Sequence, residues 1–191
     1  MSKQLPNSTI DGIYNWFKAA VPTPQPKNIH TQIGCDLEEM VELLETLTVD
    51  YNDPHRATNA QAIALAREAL HTVSEGLKKG NILLELNMSV RAKEQLLDAI
   101  CDRAVTGIGV AYMLNMNPTG ALEEVNRSNW SKFDDNGNPI FDPNQKIIKG
   151  PNYKKANMLP YLTPPADTVI GADVVDTDSE NPDIESTDDI I

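Results

Sequence analysis

Three glutamates in the first quarter of the chain have the spacing of a carboxylate site. Glu38 and Glu42 are four residues apart and Glu39 and Glu42 are three apart, so either pair projects from one side of a helix. Carboxylates crowded in this way repel one another unless a cation lies between them, and such hard oxygen ligands suit Mg²⁺ or Mn²⁺. A solvent-facing acidic surface explains the same pattern, so both interpretations stay open.

A second acidic series lies on an otherwise apolar segment. Glu94, Asp98 and Asp102 follow one another at intervals of four residues, and Ala104 and Val105 come directly after. An aspartate beside such an apolar stretch is costly to bury unless it is paired or bound to a metal, so a structural ion pair is the alternative. Together, the two acidic helices predict a metal cluster inside a helix bundle, where the cation would clamp a polyphosphate and activate a water.

Candidate contacts to an anionic substrate come later in the chain. Asn126, Asn129 and Lys132 recur every third residue and share one helical face, which suits phosphate or base recognition but is also common on ordinary surfaces. Lys149 and Tyr153 flank a Gly-Pro loop. That loop can close over a nucleotide or pack against a neighbouring subunit.

Five helices are needed to position these side chains. Apolar residues recur at helical spacing, and turn residues separate the segments. The predicted helices are residues 10–20, 29–48, 58–80, 89–114 and 119–133. Ser89 and Thr119 are the expected caps of the last two. The apolar stretch 104–116 predicts a buried core helix, and residues 140–149 a short hairpin or an extended loop.

Composition predicts one all-α domain followed by an acidic tail. The chain has 191 residues, of which 40% are apolar and only 5% aromatic, which favours a helical core. Its net charge is −12, but nine of its 28 acidic residues and none of its 16 basic residues lie in 163–191. We therefore predict a domain over 1–162 and a disordered tail over 163–191. A basic nucleic-acid surface is not expected.

The remaining polar and sulfur side chains suggest no second site. Cys35 and Cys101 lie on the two acidic helices and are predicted to be small, buried packing residues. The histidines have no metal-ligand spacing and are predicted to lie on the surface or in loops. Trp16 and Trp130 are expected in the core or in an interface, with a base contact open for Trp130. The N-terminus is polar and no apolar run is long enough to span a bilayer, so we expect a cytoplasmic protein.

Three segments carry a resemblance to a known superfamily. The EExxE pattern of Glu38, Glu39 and Glu42 resembles the signature of the MazG-like, all-α nucleotide pyrophosphohydrolases. Residues 96–118 resemble the second acidic helix of that superfamily. EVNRSNWSKF and KGPNY, in this order, resemble its phosphoribosyl-ATP pyrophosphohydrolase-like branch, which is common in bacteria and their phages. The similarity covers roughly residues 8–162.

The resemblance implies a fold, an activity and a site. The fold would be a four- or five-helix bundle with a C-terminal extended arm, working as a homodimer or homotetramer, in the host cytoplasm if a phage encodes it. The activity would be metal-dependent hydrolysis of a nucleoside triphosphate to a monophosphate and pyrophosphate. The implied roles are metal ligands at Glu39, Glu42 and Asp102, further ligands or the base at Glu38 and Asp98, and substrate contacts at Asn129 and Lys132.

One departure from the superfamily pattern keeps a second hypothesis open. Many members have an ExxD pair on the second acidic helix, whereas here Ala99 lies three residues before Asp102 and the nearest acid is Asp98. A catalytically silent binding or regulatory protein of the same fold is therefore the alternative. Within the enzymatic reading, the resemblance favours a deoxynucleoside triphosphate, purine rather than pyrimidine, over phosphoribosyl-ATP.

Overall fold

The computed structural model describes residues 9–143 and 146–164, which form five α-helices and one short 3₁₀ helix. The helices are α1 (Thr9–Ala20), α2 (Pro26–Thr46), α3 (Arg56–Lys79), α4 (Val90–Met113) and α5 (Pro118–Trp130), and the 3₁₀ helix is Leu159–Tyr161. The predicted all-α architecture is confirmed, including the extended arm after α5. The tail predicted over 163–191 lies outside the described residues, except for its first two positions.

The helices α2 and α3 form a closely packed antiparallel hairpin. Its two backbones approach at Gly34, where an added Cβ would lie 2.9 Å from the carbonyl oxygen of Ser74. The Ser74 hydroxyl is fully buried and donates a hydrogen bond of 2.7 Å to the carbonyl oxygen of Gly34. Leu77 and Val41 are buried in the same seam. This hairpin holds the three glutamates of α2 in place.

A second packing unit joins the two ends of the domain. Helix α1 packs against α5, and the buried cluster consists of Trp16, Ala20 and Phe133. The rings of Trp16 and Phe133 meet edge to face, with 6.2 Å between their centroids. Ile147 of the arm packs on this cluster, so the arm is anchored to the α1–α5 pair.

Helix α4 is exposed along its whole length, and this corrects the prediction of a buried core helix over 104–116. Ser89 caps it as predicted, accepting a hydrogen bond from the Ala92 backbone N–H at 3.2 Å. Every residue of α4 is exposed or half-exposed, and among the described elements only α5 packs against it. The apolar stretch was correctly predicted as a helix, but the described residues of its own chain do not bury it.

The other helix ends differ by a few residues from those predicted. Helix α2 begins at Pro26, where the missing N–H costs nothing in the first turn. Helix α5 begins at Pro118 rather than after Thr119, because the Asn117 side chain accepts a hydrogen bond of 3.0 Å from the Gly120 N–H. Helix α3 begins at Arg56, slightly earlier than predicted.

The arm after α5 crosses back towards α2. A single antiparallel bridge joins Phe141 and Ile147, so the segment is closer to the predicted short hairpin than to an open loop. The Lys27 ammonium donates a 2.7 Å hydrogen bond to the carbonyl oxygen of Pro143, which ties the arm to the start of α2. In the part of the chain that the structure describes, no helix has both the length and the apolar character needed to cross a membrane.

Candidate active site of carboxylates and lysines

One carboxylate of α2 contacts lysines from two other parts of the chain. The Glu38 carboxylate accepts a hydrogen bond from Lys78 of α3 at 2.8 Å and from Lys146 of the arm at 2.9 Å. Burial alone would raise the pKa of Glu38, but these two hydrogen bonds outweigh it and hold the pKa below its ordinary value. We use "carboxylate–lysine site" for Glu38, Glu39 and Glu42 together with Lys132 and Lys146.

The pKa of Glu39 is shifted in the opposite direction. Partial burial raises the pKa of Glu39, and the negative charges of Glu42 and Glu38 raise it further, against smaller opposing effects of Lys146 and Lys132. Within residues 9–143 and 146–164, the Glu39 and Glu42 carboxylates accept no hydrogen bond and form no ion pair. Glu42 is exposed. The negative charge of this pair is therefore not neutralised by a hydrogen bond or ion pair among the described residues, and the pair is accessible to solvent. Both properties favour the binding of a cation.

Lys132, two residues after the end of α5, is the predicted substrate contact whose charge acts on Glu39. Burial lowers the pKa of Lys132, and the charges of Lys149 and Lys146 lower it further, while Tyr153 and Glu39 partly offset these effects. Its ammonium lies 5.8 Å from the centroid of the buried Trp16 ring. A half-buried ammonium near other lysines is poorly neutralised by the protein, so an anionic ligand would stabilise it.

Lys149 and Tyr153 border this group of charges. The Lys149 ammonium lies over the Tyr153 ring, 5.0 Å from its centroid. Gly150 lets this loop approach the segment after α5 closely, because a Cβ there would lie 3.0 Å from the Lys132 carbonyl oxygen and 2.9 Å from Cδ1 of Ile140. The charges of both predicted loop residues, Lys149 and Tyr153, act on the Lys132 ammonium.

An open cleft of about 840 Å³ adjoins the same loop. It lies between the end of α5 and the segment 151–154, and Trp130, Phe133 and Tyr153 contribute its aromatic lining. Trp130 stacks on Phe133 at a centroid distance of 5.3 Å and keeps 41% of its surface exposed. The volume lies in the range of sites that bind small organic ligands.

The two asparagines predicted on the same face as Lys132 lie in different surroundings. The Asn126 amide packs against α1, since a Cβ added to Gly12 would lie 2.7 Å from its Nδ2. Its Oδ1 is buried, and no hydrogen-bond partner is present for it in the described part of the chain. Asn129 is half-buried, and its backbone carbonyl oxygen accepts a hydrogen bond of 3.1 Å from the Lys132 backbone N–H.

Asp98 and Asp102 are not brought to the α2 carboxylates within one chain. Both lie exposed on α4, which contacts α2, among the described residues, through an ion pair between Arg103 and Asp36. Across the described residues, no group of three or more histidine, cysteine or carboxylate side chains has the arrangement of a metal site. The structure therefore gathers the predicted residues of α2, α5 and the arm, and leaves those of α4 apart.

The structure adds two residues to the predicted site and corrects three predictions for residues outside it. Lys78 and Lys146 were missed, although Lys146 lies only three residues before Lys149. His30 is buried rather than on the surface, and its Nε2 accepts a hydrogen bond of 2.8 Å from the Leu84 N–H, which is a structural role. Cys101 is exposed rather than buried, and Cys35 is half-buried.

Comparison with known proteins finds no match for this chain among family models, curated proteins or solved structures.

Proposed function

We propose that the protein is a metal-dependent nucleoside triphosphate pyrophosphohydrolase that acts at the carboxylate–lysine site. The observation that carries the proposal is the charge imbalance there. Among the described residues Glu39 and Glu42 form no ion pair and the charge of Glu42 raises the pKa of Glu39, while Lys132 is half-buried and its pKa is lowered by the charges of Lys149 and Lys146. A divalent cation would neutralise the excess negative charge of the carboxylates, and a polyphosphate would neutralise the excess positive charge of the lysines. A metal–triphosphate complex would therefore neutralise both.

The carboxylates of α2 fit Mg²⁺ or Mn²⁺ by their chemistry. Glu39 and Glu42 would hold the cation, because their mutual repulsion falls when a positive charge lies between them. Glu38 is already held by Lys78 and Lys146 at 2.8 and 2.9 Å, so we assign it to positioning these lysines. A bound divalent cation would supply charge neutralisation of the phosphates and acidify a water.

The residues of the chain itself would orient the substrate. Lys132, Lys146 and Lys149 offset the charge that grows on the phosphoryl oxygens as the bond between the α-phosphorus and the bridging oxygen breaks. The attacking water gives its proton to a carboxylate and its oxygen to the α-phosphorus, and pyrophosphate leaves. The aromatic cleft beside Tyr153 would bind the base of the substrate, which we propose is the purine of a deoxynucleoside triphosphate.

Pyrophosphate release from the eight common ribo- and deoxyribonucleoside triphosphates, with Mg²⁺, Mn²⁺ or EDTA, tests this function. We expect release from one or a few of them that requires the metal. Glu42→Gln should reduce turnover by more than about 100-fold, because it removes a ligand charge at an exposed position. Glu68→Gln, on the exposed surface of α3, is the matched control and should retain full turnover. Equal turnover in the two variants would contradict the site.

A catalytically silent binding or regulatory protein is the second candidate, and the separation of Asp98 and Asp102 from α2 favours it. In that case a nucleotide binds at the carboxylate–lysine site without being hydrolysed. Thermal melting with Mg²⁺ and nucleotide distinguishes the candidates from a protein without this site, because a ligand that binds only the folded state raises the midpoint. A raised midpoint without pyrophosphate release would select the silent protein or a different substrate such as phosphoribosyl-ATP.

A further inference from the structure

A second cleft opens between the end of α2 and the first half of α3, and we call it the α2–α3 cleft. It encloses about 500 Å³. Its lining is mostly apolar and includes Leu44, Leu47, Val49 and Ile63 together with three alanines of α3. Leu47 keeps 51% of its surface exposed. Within the described residues, the apolar lining therefore has room for a further segment of chain.

Two arginines line the α2–α3 cleft, and neither forms an ion pair in the described part of the chain. Arg56 and Arg67 are eleven residues apart on α3, or about three turns, so both project from one face at a spacing of about 16 Å. The Arg56 guanidinium lies 5.3 Å from the centroid of the Tyr51 ring. Glu45 is the one carboxylate among the described residues of the lining, so two arginines against one glutamate leave a charge of +1. An occupant that carries both apolar side chains and carboxylates would match this lining.

Residues 167–178 of the acidic tail have the matching composition. This segment reads DTVIGADVVDTD and contains four aspartates and four β-branched apolar residues, but no lysine or arginine. Val174 and Val175 lie between Asp173 and Asp176, so carboxylates flank the apolar pair on both sides. At about 3.3 Å per residue, an extended chain covers about 16 Å between residues 173 and 178, which equals the spacing of the two arginines. The segment can therefore place its valines on the apolar lining and its aspartates at both guanidiniums at the same time.

We propose that residues 167–178 dock in the α2–α3 cleft of their own chain, with Val174 and Val175 against its apolar lining and the aspartates paired with Arg56 and Arg67. The fourteen residues from Pro164 to residue 178 extend over about 46 Å, which exceeds the length of α3, about 36 Å. A segment tethered in this way has an effective concentration in the millimolar range, so a weak contact is sufficient for docking. Docking requires no catalytic activity and is independent of the proposed function.

Helix α4 is a poorer place for this segment, although it also exposes apolar side chains. Its three carboxylates are Glu94, Asp98 and Asp102, and they outnumber its two unpaired basic residues because Arg103 is already paired with Asp36. Like charges on α4 would therefore oppose the aspartates of the tail, whereas the arginines of the α2–α3 cleft attract them.

The mobility of a spin label on the tail of the full-length chain tests the docking. A nitroxide is attached at Thr177→Cys after Cys35→Ser and Cys101→Ser have removed the native thiols. We expect a slow-motion component in its electron paramagnetic resonance spectrum, and Arg56→Glu with Arg67→Glu should abolish that component. Arg91→Glu with Lys93→Glu, at exposed positions of α4, makes the same change of charge and should retain it. The proposal is overturned by fast motion alone before any arginine is replaced, by a slow component that survives in the arginine variant, or by its loss in the control.

Exchange of the charges between the two partners tests the pairing itself. Asp173→Arg with Asp176→Arg is added to the Arg56→Glu, Arg67→Glu chain, so that each ion pair is restored with its signs reversed. The slow-motion component should return, because opposite charges again face each other while the apolar residues are unchanged. A label that stays fully mobile in the exchanged chain would refute the pairing of these aspartates with the arginines.

A cross-link shows which chain supplies the docked segment. Arg67→Lys keeps the charge and introduces an amine, and a carbodiimide joins this amine to an aspartate carboxyl as an amide while the carbodiimide takes up the lost water and becomes a urea. Mass spectrometry should locate the link between position 67 and residues 167–178, at a severalfold higher yield than links from the same residues to the exposed Lys93 of α4. The linked product should still run as a single chain of 21.0 kDa on a denaturing gel. Equal yields at position 67 and Lys93, or a link between two chains, would overturn docking within one chain.

Discussion

Gly34→Ala tests the contact that holds α2 against α3 and thereby the position of all three glutamates. The added methyl carbon would lie 2.7 Å from Cγ of Lys78, 2.9 Å from the Ser74 carbonyl oxygen and 3.3 Å from Cβ of Leu77. The lysine side chain can rotate away, but the carbonyl belongs to the backbone of α3. The two helices must therefore separate by a few tenths of an ångström.

The expected destabilisation follows from three effects. Overpacking of a closely packed seam costs about 1–3 kcal/mol. Separation also weakens the buried 2.7 Å hydrogen bond from Ser74 to the Gly34 carbonyl, and a weakened buried bond costs about 1–3 kcal/mol. Alanine in place of glycine inside a helix recovers about 1 kcal/mol. These ranges add up to a net loss of about 1–5 kcal/mol in the free energy of unfolding, with about 2–3 kcal/mol near the centre of the range.

Thermal unfolding followed by far-ultraviolet circular dichroism measures this loss. For a chain of this size it corresponds to a decrease in melting temperature of about 5–10 °C. Gly109→Ala is the matched control, because a Cβ there meets nothing within 4 Å. The control should melt at the wild-type temperature or slightly above it. A Gly34→Ala variant that melts together with the control would refute the close approach of α2 to α3.

Three further substitutions separate stability from function. Lys132→Met should lower kcat/KM by about 10- to 100-fold, because a charged phosphate contact is lost. The melting temperature should not fall, because the substitution removes a half-buried ammonium. A lowered melting temperature with normal kcat/KM would contradict the role of Lys132. Gly150→Ala should raise KM at nearly unchanged stability, because its Cβ would push the loop from the Lys132 carbonyl oxygen, and an unchanged KM would argue against the loop contact. Hydrogen bonds from Lys78 and Lys79 lower the pKa of Glu75 from its ordinary value of 4.5 to about 2. The ionised carboxylate therefore stabilises the fold above pH 4.5, and this stabilisation is lost as the pH falls towards about 2. Wild type should therefore melt above Glu75→Gln at neutral pH and converge with it in acid, and a constant difference would refute the ion pairs.

Short-range geometry explains why so much of the helix pattern could be predicted. A helix needs only contacts three and four residues apart, so apolar periodicity and the Ser89 cap indicated the helices before any packing was known. The same rule placed Glu38, Glu39 and Glu42 on one side of α2. It also placed Asp98 and Asp102 together on α4.

Local patterns gave no information on which helix faces become buried. The apolar residues of α4 were expected in a core, yet within its own chain α4 packs only against α5 among the described elements. Buried and uncovered apolar faces have the same sequence periodicity, because the pattern records only that some apolar partner is needed. The sequence does not tell whether that partner belongs to the same chain.

The sequence by itself determined the helices and the spacing of the carboxylates along them. Only the tertiary structure decided that Glu38 is held by Lys78, 40 residues away, and by Lys146, 108 residues away. It also decided that His30 is buried and that α4 lies apart from the glutamates of α2. The physical reason is that contacts between distant residues depend on the path of the whole chain, whereas helical spacing depends on each residue and its near neighbours.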